Sequence, residues 1–85
     1  MGRYELAMET LGGGTPSADV FVQLGLMYST GSAVPADFIA AHKWFNLAAL
    51  NGCADAARLR RELAEQMSQD EIAAAQRAAR AWLKH

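Results

Sequence analysis

Few residue types in this chain of 85 could perform chemistry. His42, Cys53 and His85 are the candidates for nucleophile, base or metal ligand. Two histidines and one cysteine are too few to close a zinc site within one chain, and no two of them stand at a recognised ligand spacing. His42 falls at the edge of an apolar stripe through Phe45 and reads as a partly buried packing residue. Cys53 reads as a small core residue or an inert boundary thiol. Asp19 and Asp37 are paired carboxylates only on paper, because each fits the start of a helix. Gly12 to Gly14 precede Thr15-Pro16 without the lysine and helix opening that a phosphate loop requires. Arg77, Arg80 and Lys84 form an outer basic stripe that suits a helix C-terminus and has no aromatic stacking platform beside it. With a net charge of −1, nothing pulls the chain toward nucleic acid or anionic lipid. The expectation is a protein that is no enzyme, with no catalytic, metal or cofactor-binding residue and no nucleic-acid or membrane partner.

The elements that would position these side chains are best specified between Leu24 and Gly52. Val20, Phe21, Leu24 and Tyr28 recur at helical spacing, with Gly25 at the margin of the stripe. A glycine inside a helix costs about 1 kcal/mol against alanine, so a second backbone or a large ring is expected to come very close at Gly25. Gly31 ends this helix, Pro35 keeps Val34 out of helix, and Asp37 caps the next helix from about Phe38. Phe38, Ala41, Trp44, Phe45, Ala48 and Ala49 share one broad face, and Gly52 is placed to stop it. Two antiparallel helices joined by a short loop are the simplest arrangement.

These residues resemble the Sel-one-like repeats, a branch of the tetratricopeptide-like helical repeats. The pattern is carried by Leu24, Gly25, Tyr28, Gly31, Val34, Asp37, Ala41, Trp44, Phe45, Ala48, Ala49 and Gly52. Ala33 departs from it at the usual second loop glycine, and Val20 at a position that is usually alanine. The resemblance covers a single repeat of about 36 residues, under half of the chain. It implies an α/α-hairpin fold and a role in holding other proteins. Some bacterial proteins with related repeats are cysteine-rich and disulfide-stapled, and the lone Cys53 sets this chain apart from them.

The flanks complete one domain over residues 1–85. Tyr4, Ala7, Met8 and Leu11 predict a short N-terminal helix over 3–11, ended by the three glycines, with Thr15 or Ser17 available to cap the helix that follows. Tyr4 and Gly12 are spaced like Trp44 and Gly52, as in the remnant of a preceding repeat's second helix. After the complete repeat at 18–52, residues 53–83 read as a degenerate capping hairpin. Ala56, Leu59, Leu63 and Met67 form the apolar stripe of its first helix, whereas Arg60, Arg61 and Ala64 replace the repeat's Leu-Gly and Tyr. Arg58 with Glu62 and Arg61 with Glu65 are spaced to pair on a solvated face. Ser68 and Glu71 form a capping box for a last helix from about Gln69 to Leu83, with Ile72, Ala75, Ala79, Trp82 and Leu83 inward. The architecture expected is all-α, about five antiparallel helices. No apolar run approaches transmembrane length, and the acids near the N-terminus argue against an export signal, which points to the cytoplasm.

Apolar residues outside the predicted stripes carry the functional reading. Val22 and Leu26 lie opposite Leu24, and Ile39 and Leu50 fall outside the Trp44 face. The resemblance implies that the first helices line a partner-binding surface. The candidate partner-binding residues are therefore Val22, Gln23, Leu26, Arg58 and Arg61. The leading expectation is a non-enzymatic adaptor or scaffold module for another protein or peptide. The alternatives are that the same surface makes a homodimer, that the N-terminal helix covers it, and, remotely, a hydrolase related to the cysteine-rich repeat proteins.

Overall fold

A computed structural model describes residues 17–84, which form four α-helices: α1 (Ala18–Thr30), α2 (Phe38–Leu50), α3 (Ala54–Ala64) and α4 (Gln69–Leu83). No strand occurs among the described residues, and the fold is all-α. The helix expected over 3–11 lies outside the described residues, so the expected count of about five meets four. The second helix, α2, is the hub, packed against α1, α3 and α4.

The ends of these helices follow from local chemistry. Asp37 accepts from the Ala40 amide at 3.1 Å, which satisfies one of the free donors that open α2. Its own amide donates to the Tyr28 carbonyl at 2.9 Å and so ties the loop back to the last turn of α1. Gly31 closes α1 at φ 71°. At the end of α2, Gly52 takes φ 95° and donates to Ala49 while Cys53 donates to Ala48. That pair of bonds is a Schellman motif, and the left-handed residue it needs is a glycine. The capping box of α4 is complete: Glu71 N donates to Ser68 Oγ at 3.1 Å, and Ser68 N donates to Glu71 Oε1 at 2.9 Å. At the start of α1 Ser17 holds the cap position, yet its side chain makes no capping bond. Its carbonyl accepts from Val20 and Phe21.

Two apolar clusters hold the helices together. The first joins Phe21, Leu47, Ala48, Ala56 and Ala79, with Trp44 and Trp82 packed on it. Phe21 stacks on Trp44 at 5.6 Å and meets Trp82 edge-on at 5.3 Å, so three rings from α1, α2 and α4 share one end of the bundle. The second cluster joins Ala41, Phe45 and Leu63, flanked by Tyr28, Phe38, Leu59 and Met67. Here α1 meets α2 at the expected glycine: a Cβ built on Gly25 would lie 3.0 Å from Phe45 Cζ and nearer still to the ring atoms beside it. The ring takes the space that any side chain at position 25 would fill.

Burial departs from the expected stripes at four places. Leu47, which falls off the Trp44–Phe45–Ala48 face, is only 1 % exposed, because α2 is covered by three neighbours and its buried arc is wider than one stripe. Val20 and Leu24 are half-buried, while Phe21 and Gly25 carry the buried face of α1. Leu83, expected inward, is 54 % exposed, since it is the last residue of α4 and no described helix extends over it. Arg60 is half-buried on α3 and donates to Asn46 Oδ1 on α2, a cross-helix bond for which local spacing holds no signal.

Candidate interaction surface

The expected partner-binding residues differ in their exposure. Val22 is half-buried and packs against the first core cluster. Its side of α1 turns toward the interior because Phe21 and Ala18 beside it meet the same cluster. Gln23 is exposed on α1. Leu26 remains open at 41 % exposure. On α3, Arg58 bonds Glu62 at 3.2 Å and approaches Asp55 at 4.0 Å, with all three side chains more than half exposed. The expected Arg61–Glu65 pair does not close within ion-pair distance. Both residues stay in solvent, where an exposed pair contributes little.

What the structure assembles instead is a groove between α1 and α3. An open depression of about 230 Å³ is bordered by Leu26 and Ser29 on α1 and by Leu59, Glu62 and Gln66 on the other side. Phe38, Phe45 and Leu63 complete its lining. Apart from Leu26, its apolar side chains belong to or flank the second core cluster, so the groove is an uncovered continuation of the core. A larger depression of about 660 Å³ adjoins it through the shared Phe38, with Tyr28, Pro35, Ala36, Ile39 and Glu71 around it. Its two carboxylates, on Asp37 and Glu71, already accept helix-capping bonds. Of the sequence candidates only Leu26 lines either depression, while Arg58 reaches the rim through Glu62. The groove residues missed from sequence, Phe38, Phe45, Leu59 and Leu63, had all been assigned to helix stripes. Phe38 and Leu59 are half-buried there, whereas Phe45 and Leu63 are buried beneath them; that they border a groove depends on the gap between α1 and α3, which no single helix encodes.

Among the described residues, His42 has a chemically unusual setting. It is 3 % exposed, deeper than the partly buried position expected, and its Nδ1 has no hydrogen-bond partner. Burial, and secondarily the Arg60 guanidinium, hold its pKa below the ordinary imidazole value of 6.5. The ring is therefore neutral near pH 7 and almost enclosed by protein. Cys53 is half-buried at the cap position of α3 and packs on the first core cluster. Among the described residues no three His, Cys, Asp or Glu side chains gather as metal ligands, and no helix is long and apolar enough to cross a membrane. No family model, curated protein or solved structure matches the chain.

Proposed function

We propose that the chain is a tetratricopeptide-like helical repeat module of the Sel-one-like kind that holds a protein partner and catalyses no reaction. The observation that carries this reading is the α1–α3 groove. Leu26 and Leu59 leave apolar surface facing solvent beside the charged Glu62 and the amide of Gln66. Such a surface suits a peptide or an amphipathic helix that inserts one or two apolar side chains and meets polar groups at the edge. The repeat-like pattern from Leu24 to Gly52 supports the same class, and the helix pair it spans is the part of the fold that leads to the groove. The test compares the unaltered chain with Leu26→Asp and Leu50→Asp, each checked for retained helicity by circular dichroism. A partner recovered by the unaltered chain and by Leu50→Asp, and lost with Leu26→Asp, supports the groove. Equal recovery by all three removes it.

A second reading rests on a different observation. Leu50 is 62 % exposed and Leu83 54 % exposed, at the C-terminal ends of two helices that pack on each other. Self-association through that end would cover both. Sedimentation equilibrium over a dilution series decides it, because a monomer at the highest concentration eliminates the dimer.

A further inference from the structure

The side of α1 turned away from the α3 groove carries a second apolar strip. Val20, Leu24 and Met27 follow one another at spacings of four and three, which places them in a line along one flank of the helix. All three are half-buried, and among the described residues none packs against either core cluster. Phe21, Gly25 and Tyr28 occupy the face between this strip and the opposite edge, where Leu26 and Ser29 meet the groove. The strip is thus a separate surface, and burying it takes something from outside α1 to α4.

We propose that the chain's own residues 3–11 cover it, lying antiparallel to α1 with Leu11 against Val20, Ala7 and Met8 against Leu24, and Tyr4 against Met27. Three features of the chain select this occupant. Tyr4 to Leu11 and Val20 to Met27 each cover seven helical steps, about 10.5 Å, so the two strips match in length. Residues 12–16 reach at most about 17 Å when extended, enough to turn back across the 8–10 Å that separates packed helices. The strip also begins only three residues after Ser17, where the chain arrives, so a partner that starts there needs no longer tether. The same chain already joins two packed helices by a short turn, since residues 51–53 connect α2 to α3. The opposite edge fits worse: Val22 is already committed to the core, and Leu26 shares its groove with Glu62 and Gln66. Covering the Val20–Leu24–Met27 strip leaves that groove open, although the placement stands independently of any partner bound there.

Disulfide trapping in the full chain tests the placement, in a Cys53→Ser background. Met8→Cys is paired either with Leu24→Cys on the strip or with Leu26→Cys on the groove edge, and each is oxidised at high dilution. The expected result is a monomeric disulfide with Leu24→Cys and its loss with Leu26→Cys, since bridging requires closely facing Cβ atoms. Faster linkage to Leu26→Cys, linkage only between two chains, or linkage in neither pair overturns it. Hydrogen exchange on the unaltered chain guards against a variant that fails to fold. Slow exchange of the amides of residues 8–11 agrees with the proposal, and exchange at the rate of an unstructured chain overturns it.

Discussion

The α1–α2 hairpin, whose helices pack on each other, and the α3–α4 hairpin, whose helices each pack on α2, are held by different means. In the first, one large ring fills the place of one absent side chain, Phe45 on Gly25, and the connecting loop is pinned by the Tyr28–Asp37 backbone bond. In the second, small residues do the packing: Ala56, Ala75 and Ala79 are 0–1 % exposed. Its charged residues Arg58, Arg61, Glu62, Glu65, Arg77 and Arg80 stand in solvent. The first hairpin depends on shape at a single contact, so it tolerates little change there. The second depends on an amphipathic pattern and on its caps, so its sensitivity is spread over several small contributions.

Adding a methyl at Gly25 should produce the largest effect. Gly25→Ala gains helix propensity, yet the new Cβ collides with the Phe45 ring, and the net expected outcome is a loss of about 1–3 kcal/mol in urea unfolding. Phe45→Leu, itself destabilising, should reduce the further cost of Gly25→Ala, because the two positions share one space. A double-mutant cycle with no coupling would show that the first hairpin is not held by this contact. In the second hairpin the corresponding change is smaller: Ser68→Ala removes the acceptor for the Glu71 amide and should cost about 1 kcal/mol. A loss as large as that of Gly25→Ala would erase the distinction between the hairpins.

The smallest effect belongs to His42, where α2 meets Arg60 of α3 and the two hairpins join. Its folded-state pKa lies below the ordinary 6.5, so as pH falls below 6.5 the unfolded chain takes up the proton first. The stability this neutral ring supports is complete above pH 6.5 and declines as pH drops toward its folded-state pKa. His42→Leu should flatten that part of the pH dependence, and it should do so without a large loss near pH 7.5, because the unpartnered Nδ1 disappears with the ring. An unchanged slope in the variant would place the titration elsewhere.

The parts of this protein legible from its sequence are those in which a residue acts on its near neighbours. Asp37, Gly31, Gly52 and the Ser68–Glu71 box each meet groups within a few residues, so residue type and spacing were enough to place every helix end they govern. Gly25 was legible for a related reason: its cost inside a helix demanded a compensating neighbour, although only the fold identified that neighbour as Phe45. The tertiary structure alone decided how wide each buried face is. Leu47 is covered because α2 has helices on three sides, Val22 turns into the core, and Leu83 is left in solvent at the end of α4. The Asn46–Arg60 bond and the groove between Leu26 and Leu59 arise in the same way, from how one helix is set against another in the fold. Caps and turns are set by local hydrogen bonds and allowed dihedrals, which sequence encodes directly. Exposure is set by which other helices happen to stand nearby, and no single stretch of sequence carries that distance.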